Sequence, residues 1–234
     1  MLLSIINSST SFVQILIEVI IIRLPAVMLA ISFHEAAHGY IAYKCGDPTA
    51  KIMGRVSMNP FVHFDLIGAI SMFLVGFGWA KPVGINPNNF KNVRADTALV
   101  AIAGPVSNFI MATLAMILNY ILIVVFGQYL EVEVAGKIIS IAQTMISLVV
   151  LMNISLMIFN LVPIPPLDGS KVLFAFLPAK CYNFILKYER YGFLILFVVL
   201  MTGIIDRPLN IAMSWVFGII NNGVYTLFSA IGLI

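Results

Sequence analysis

Charged residues are scarce in this sequence: Asp, Glu, Lys and Arg together make up 10% of its 234 residues. Hydrophobic residues make up 61%, and the mean hydropathy is +1.05. Soluble globular domains carry about 25% charged residues. The composition therefore excludes an ordinary soluble enzyme and predicts a protein that crosses the lipid bilayer several times.

Cysteine is also rare, because the chain contains only Cys45 and Cys181. Both lie in segments that we assign below to the cytosolic side, where disulfides are rare, so we expect two free thiols. The net charge of +3 comes from basic residues in short loops. Such residues indicate how the chain is oriented in the bilayer, and we expect no nucleic-acid partner.

Several apolar runs approach the length of about 20 residues that a transmembrane helix needs. They predict helices at 24–43, 97–127, 138–162, 190–205 and 209–232. Residues 2–22 form a sixth run, but Glu18 and a serine and threonine stretch interrupt it, so its membrane crossing stays open. We predict an all-α multi-pass membrane protein with five or six transmembrane helices, in which residues 1–234 form a single domain.

The apolar segment 65–79 has only 15 residues, which is about 22 Å of helix against a hydrocarbon core of about 30 Å. If it is re-entrant, the flanking basic residues share one side of the membrane, and the positive-inside rule makes that side cytosolic. Around it, KIMGRVSMNP and VGINPNNF predict short strands or turns, with the strands at about 51–58 and 81–86. We therefore expect a re-entrant or strand-containing region near 51–90.

Three ionisable residues, His34, Glu35 and His38, interrupt the run 24–43 as HEAAH, which fits the pattern HExxH. Residues four apart share one face of a helix, so both imidazoles can bind one zinc ion beside Glu35 as the base. A charged residue at membrane depth costs about 2.5 to 3.5 kcal/mol, which a bound metal would offset. The alternative is a polar helix end near the headgroups, since Lys44 lies only six residues beyond His38.

A catalytic zinc site has three protein ligands and one position for water. Asp168 in NLVPIPPLDG is the best third candidate, because the topology places its loop at the same end of the membrane as His34 and His38. The alternative is an ordinary turn, since Asp-Gly is a common turn pair.

Two further polar residues leave a choice. His63 is a rival metal ligand, although we favour a local hydrogen bond, for example with Asp65, or a place around the ligands. Asn108, in AGPVSN, has either a role at the site or a buried interhelical hydrogen bond, and we favour the second.

These motifs resemble those of the site-2 protease family of intramembrane zinc metalloproteases. HEAAH resembles the family's HExxH and LDG its aspartate motif, while GDPTAKIMGRVSMNP, GWAKPVGINPNNF and AGPVSN resemble stretches of a small bacterial form without a PDZ or CBS domain. The likeness covers about residues 24–175, with Leu66 where a proline is expected. It implies that Asp168 is the third ligand of one Zn²⁺ ion, that Glu35 activates water, and that Asn160 stabilises the oxyanion.

The resemblance also implies an endopeptidase of the cell membrane whose active site lies toward the cytosolic side. Its partners would be the lipid bilayer and a transmembrane substrate protein, while no motif names a regulatory membrane partner. Two other classes stay open, namely a zinc hydrolase with a non-protein substrate and a non-catalytic scaffold or transporter that retains the fold.

Overall fold

The computed structural model describes residues 23–68, 81–178 and 191–233. Within these ranges every regular element is a helix. They contain eight α-helices: α1 (Leu24–Lys44), α2 (Thr49–Ile52), α3 (Pro60–His63), α4 (Val93–Phe126), α5 (Glu133–Asn160), α6 (Asp168–Phe176), α7 (Gly192–Thr202) and α8 (Asp206–Ala230). Short 3-10 helices cover Pro87–Asn89 and Gly127–Tyr129.

Helix α1 contains the HEAAH motif in its second half. Its buried residues include a series spaced four apart: Ala26, Ala30, His34, His38 and Ala42. Residues at this spacing lie along one stripe of a helix. Small side chains and the two histidines therefore face the protein interior together.

Helix α4 lies at the centre of the described structure and contacts α1, α5, α6 and α8. Asn92 caps its first turn, because the side-chain oxygen accepts a hydrogen bond from the Ala95 N–H at 3.2 Å. With 34 residues, the helix is about 50 Å long, which exceeds the thickness of the hydrocarbon core. One helix can thus meet α1 near its beginning and the membrane bundle along the rest.

Among the described helices, three are long and apolar enough to cross a membrane: Val93–Tyr129, Glu133–Asn160 and Asp206–Ala230. They share one buried apolar cluster, to which α4 contributes Ala112 and Met116, α5 contributes Ile154, and α8 contributes Val216 and Phe228. The prediction of an all-helical membrane protein is confirmed for this part of the chain. The count of five or six spans is not.

Two described helices that we predicted to be spans, α1 and α7, are not among these three. Helix α1 carries the three ionisable residues of HEAAH, which lower its hydropathy, and α7 has only 11 residues. The run 2–22 lies outside the described residues, as does most of the segment 65–79 that we predicted to be re-entrant.

The predicted strands at 51–58 and 81–86 are wrong. Residues 51–58 contain the end of α2 followed by turns, and residues 81–86 have no regular secondary structure. Side-chain carboxylates accept two backbone hydrogen bonds of the second segment: the Val83 N–H donates to Glu35 at 2.9 Å and the Asn86 N–H to Asp47 at 2.7 Å. Because these groups are satisfied by carboxylates, the segment needs no neighbouring strand.

The loop after α1 is fastened by Asp47, a fully buried carboxylate. Its oxygens accept hydrogen bonds from the Thr49 hydroxyl and N–H, from the Asn89 side chain at 2.7 Å, and from the Asn86 N–H. Asp47 thereby ties residues 86–89 to the end of α1 and holds the preceding segment over Glu35. The neighbouring Cys45 is a buried free thiol, as expected, whereas Cys181 lies outside the described residues.

Candidate metal centre

Three potential ligand atoms converge at the buried face of α1. His34 Nε2 lies 3.1 Å from Asp168 Oδ2, and His38 Nε2 lies 3.0 Å from the same oxygen. The two Nε2 atoms are 2.9 Å apart. All three side chains are buried, so the atoms form a nearly equilateral triangle shielded from solvent.

The partners of the other ring nitrogens determine what this triangle can hold. His34 Nδ1 lies 2.6 Å from Asn108 Oδ1, and His38 Nδ1 lies 2.7 Å from the Val100 carbonyl oxygen. Both partners are acceptors, so each Nδ1 carries a hydrogen and each Nε2 of a neutral imidazole presents a lone pair. Two such lone pairs and a carboxylate oxygen repel one another unless a proton or a metal ion lies among them.

The donor set and its spacing fit zinc. Zinc binds imidazole nitrogen at about 2.0–2.1 Å and carboxylate oxygen at similar distances, usually with tetrahedral geometry. In that geometry two ligand atoms are about 3.3 Å apart, close to the 2.9–3.1 Å between the three atoms here. The site therefore accommodates zinc with only small shifts of the side chains.

Helix α4 supports both imidazoles along one of its own stripes. Val100, Gly104 and Asn108 are spaced four apart, and they run antiparallel to His34 and His38. A Cβ at Gly104 would lie 2.5 Å from His34 Cε1 and 2.6 Å from His38 Cε1. Only glycine therefore allows α4 to approach the two rings this closely.

Asp168 reaches the site because it is the first residue of α6, directly after the proline-rich loop that follows α5. Its Oδ2 faces the imidazoles, while its Oδ1 accepts a hydrogen bond from Lys171 Nζ at 3.2 Å. Sequence reasoning missed Lys171. The available signal was its position three residues after Asp168, which places both side chains on one face of a helix.

Glu35 lies beside the triangle and is half-buried. Potential ligand atoms of Glu35, His34 and His38 lie within 4.8 Å of one another. A cavity of about 410 Å³ adjoins them, with Asn160 and Lys171 in its wall together with apolar side chains such as Val83, Ile85 and Phe90. The arrangement combines a potential metal centre, a carboxylate and a space that can admit a ligand.

Comparison with known proteins fits this donor set. The model of peptidase family M50 matches residues 23–203. The chain belongs to peptidase family M50. This M50 chain is 37% identical over 210 residues to "Putative zinc metalloprotease YwhC" of Bacillus subtilis (strain 168), covering 88% of this chain and 90% of that protein.

More distant M50 relatives share the same description. "Putative zinc metalloprotease Rip2" of Mycolicibacterium smegmatis is 23% identical over 206 residues, covering 86% of this chain and 74% of that protein. The protein of the same name in Mycobacterium tuberculosis (strain H37Rv) is 22% identical over 210 residues, covering 88% of this chain and 72% of that protein. No solved structure matches. The chain is thus a small member of the site-2 protease family, a metalloprotease with zinc as its cofactor and membrane helices.

The structure places the two polar residues of this M50 protease whose roles the sequence left open. His63 is buried and makes the local hydrogen bond that we favoured, because its Nε2 lies 2.8 Å from the Ser57 carbonyl oxygen. The suggested partner Asp65 instead accepts a hydrogen bond from the Gly68 N–H. Asn108 makes the interhelical hydrogen bonds that we favoured, but it also contacts His34, so the two alternatives were not exclusive.

Two backbone groups contribute to the site, and no pattern of side chains in the sequence could have predicted them. The Val100 carbonyl accepts from His38, and the Val83 N–H donates to Glu35. Because every residue except proline carries both kinds of group, their involvement depends on the fold alone.

Proposed function

We propose that this M50 protease is an intramembrane zinc endopeptidase, which hydrolyses a peptide bond in or near a transmembrane segment of another membrane protein. The observation that carries the proposal is the convergence of His34, His38 and Asp168 in a protein with membrane-spanning helices. In this proposal residues 1–234 form a single catalytic domain of the cell membrane.

His34, His38 and Asp168 are the ligands in this proposal. Zinc bound by three protein groups supplies a Lewis acid, which polarises a carbonyl and lowers the pKa of water toward about 7. The protein contributes the orientation of its ligands. The Nδ1 partners hold each imidazole with Nε2 toward the centre, and Lys171 holds the outer oxygen of Asp168.

Glu35 is the general base in this proposal. The Val83 N–H donates to Glu35 Oε2 at 2.9 Å, which restrains the orientation of the carboxylate. Glu35 Oε1 is then the oxygen that accepts a proton from the attacking water. A base must lie within hydrogen-bond reach of that water, and the position of Glu35 beside both histidines satisfies this requirement.

Asn160 is the proposed oxyanion donor. It lies in the cavity wall at the last residue of α5, where its Nδ2 donates to the Leu156 carbonyl at 3.0 Å. An amide nitrogen has two N–H groups, so a second hydrogen can stabilise negative charge on the substrate carbonyl oxygen. The apolar wall suits a substrate side chain, and the substrate segment must unwind, because helical carbonyls are already hydrogen-bonded.

The site is accessible from the cytosolic side in this proposal. Counted from Lys44 at the end of α1, the helical rise places His38 about 9 Å deep and His34 about 15 Å deep. Basic residues near this end of α1 favour the cytosolic side. Water would therefore penetrate about 10 Å, and the cavity beside Glu35 provides the space for it.

Reconstitution tests the proposal. Wild type, Glu35→Gln and His34→Ala are each placed in liposomes with a panel of single-span membrane proteins labelled at both ends. We expect wild type alone to release a fragment cut within or beside the span, while Glu35→Gln retains zinc and His34→Ala loses it. Equal cleavage by wild type and Glu35→Gln would contradict the role of Glu35.

The same reconstitution distinguishes the substrate classes. A zinc hydrolase with a non-protein substrate would leave every labelled span intact and would instead alter a lipid, which mass spectrometry of the liposomes detects. The Glu35→Gln variant also serves as a trap, since proteins crosslinked to it in the native membrane would include the substrate.

A further inference from the structure

A chain of buried amides extends from His34 into the bundle. Asn108 Oδ1 lies 2.6 Å from His34 Nδ1, and Asn108 Nδ2 lies 2.8 Å from Asn153 Oδ1. Asn153 Nδ2 in turn donates to the Val149 carbonyl at 2.8 Å. Both asparagines are completely buried, and together they connect α1, α4 and α5.

The direction of this chain is fixed from its far end. The Val149 carbonyl can only accept, so Asn153 must point its nitrogen there and its oxygen toward Asn108. Asn108 then directs its nitrogen toward Asn153 and also donates to the Ala30 carbonyl at 3.0 Å. Turning the Asn108 amide over would place its oxygen against two acceptors. The oxygen of Asn108 therefore faces His34.

An oxygen at this position determines how His34 is held. It accepts a hydrogen bond only if His34 Nδ1 carries the hydrogen, which leaves Nε2 to face His38 and Asp168. We propose that Asn108, oriented by Asn153, is a positioning residue that fixes which nitrogen of His34 is presented to zinc. This inference rests on the proposed assignment of His34 as a zinc ligand.

The second histidine has a different support. His38 Nδ1 pairs with the Val100 backbone carbonyl at 2.7 Å, which no side-chain substitution removes. Only the His34 orientation depends on side chains, so mutagenesis can test it. In known metal sites, loss of such a partner weakens metal binding by 10- to 100-fold.

The test measures the dissociation constant for zinc by chelator competition on the full-length protein in detergent. Asn108→Leu removes the acceptor, and we expect zinc binding about 10- to 100-fold weaker than wild type. Asn108→Asp keeps an acceptor for His34 and places its second oxygen against the Ala30 and Asn153 acceptors. We expect it to lower thermal stability yet bind zinc within about threefold of wild type.

A matched control comes from the same helix. Asn119 has a buried, unpartnered Oδ1 and no place at the described site, so Asn119→Leu should leave zinc binding unchanged. The absorption spectrum of the Co²⁺-substituted protein provides a second readout, since a change in ligand geometry alters it in Asn108→Leu but not in Asn119→Leu.

The results separate positioning from packing. If Asn108 only joins helices, Asn108→Leu binds zinc within threefold of wild type with an unchanged Co²⁺ spectrum, and the inference is overturned. Should Asn108→Leu fail to fold, Asn153→Leu decides, because Asn153 does not touch His34: binding at least threefold weaker supports the inference, and equal binding overturns it. A wild-type zinc content that His34→Ala leaves intact would instead overturn the proposed ligand assignment.

Discussion

Helix α4 meets its neighbours in two different ways along its length. Between Val100 and Asn108 it contacts α1 through a glycine, a backbone carbonyl and a buried amide. From Ala112 to Met116 it contacts α5 and α8 through apolar side chains alone. We call these the site region and the bundle region.

The two regions are stabilised by different forces. Lipid tails are as apolar as leucine, so the bundle region gains little from burial itself and depends on close packing. In the site region, hydrogen bonds direct particular atoms toward one point. We therefore expect that substitutions can change the stability of the bundle without changing the geometry of the metal site, and the reverse.

The largest expected effect comes from Gly104→Ala in the site region. The added Cβ would lie 2.5 Å from His34 Cε1 and 2.6 Å from His34 Nε2 and His38 Cε1, so both rings must move or α4 must withdraw. A ligand displaced by about 1 Å can cost about 100-fold in rate. We expect a loss of at least that size in zinc affinity and in proteolysis, measured by chelator competition and by fragment release.

Gly218→Ala is the matched control for Gly104→Ala. Gly218 lies within α8, and no atom stands within 4 Å of an added Cβ. Alanine favours a helix over glycine, so this variant should be at least as stable as wild type with normal zinc binding. Normal zinc binding in Gly104→Ala would mean that the contact between α4 and the imidazoles is not required.

A substitution in the bundle region should lower the unfolding free energy and leave zinc affinity unchanged. Ile154→Ala removes a side chain that is 1% exposed and leaves a cavity between three helices. Because transfer from water contributes little in lipid, we expect a loss of about 2 kcal/mol from packing alone. Unfolding in mixed micelles measures this loss, and zinc affinity of the folded fraction should be unchanged.

Leu151→Ala provides the comparison for Ile154→Ala, because Leu151 lies on the same helix but is 43% exposed. It should change the unfolding free energy much less. If Ile154→Ala weakened zinc binding as strongly as Gly104→Ala, the two regions of α4 would not be separable.

The sequence predicted the potential metal ligands better than it predicted the residues that hold these ligands in place. HEAAH indicated two imidazoles on one face of a helix, and the basic loops indicated that the Asp168 loop meets them at the same end. The sequence left the role of Asn108 open, because a buried asparagine in an apolar helix suits either packing or a metal site. The antiparallel pairing of α1 with α4 determines that Asn108 contacts His34.

The strand prediction was wrong for a related reason. Alternation near Val83, bounded by Gly, Asn and Pro, indicated a strand or a turn, yet the Val83 and Asn86 N–H groups donate to the carboxylates of Glu35 and Asp47. Local pattern cannot show that a carboxylate 48 residues away accepts a hydrogen bond. The same applies to the number of spans, since α1 carries ionisable groups that lower its hydropathy.

A smaller effect is expected at Asp47, which ties residues 86–89 to the end of α1. Burial raises the pKa of Asp47, but hydrogen bonds from Thr49, Asn86 and Asn89 outweigh it, and the net pKa is lowered. A carboxyl group with a lowered pKa in the folded state stabilises the protein above its unfolded pKa of about 3.9. That contribution is lost as pH falls through the lower pKa of the folded state.

Asp47→Asn should therefore lower the unfolding free energy by about 1–2 kcal/mol at neutral pH, and the difference from wild type should shrink below about pH 4. Unfolding in micelles across this pH range measures it. Glu133→Gln, at a side chain that is 82% exposed, is the control and should show no comparable difference. A constant Asp47→Asn effect at every pH would exclude a contribution from the carboxylate charge.

The smallest effect is expected from Lys171→Met, at the solvent-exposed edge of the metal centre. Lys171 Nζ holds Asp168 Oδ1 at 3.2 Å, but 41% of its side chain is exposed, so water screens the ion pair. We expect zinc binding about three- to tenfold weaker, because Asp168 then rotates more freely, with partial recovery in Lys171→Arg. Lys137→Met removes the same charge near the beginning of α5, where Lys137 pairs with Glu133 and is 72% exposed, and it should have no effect on zinc binding. If Lys171→Met binds zinc like wild type, the α6 backbone alone orients Asp168, and the metal centre depends on side-chain support only at His34.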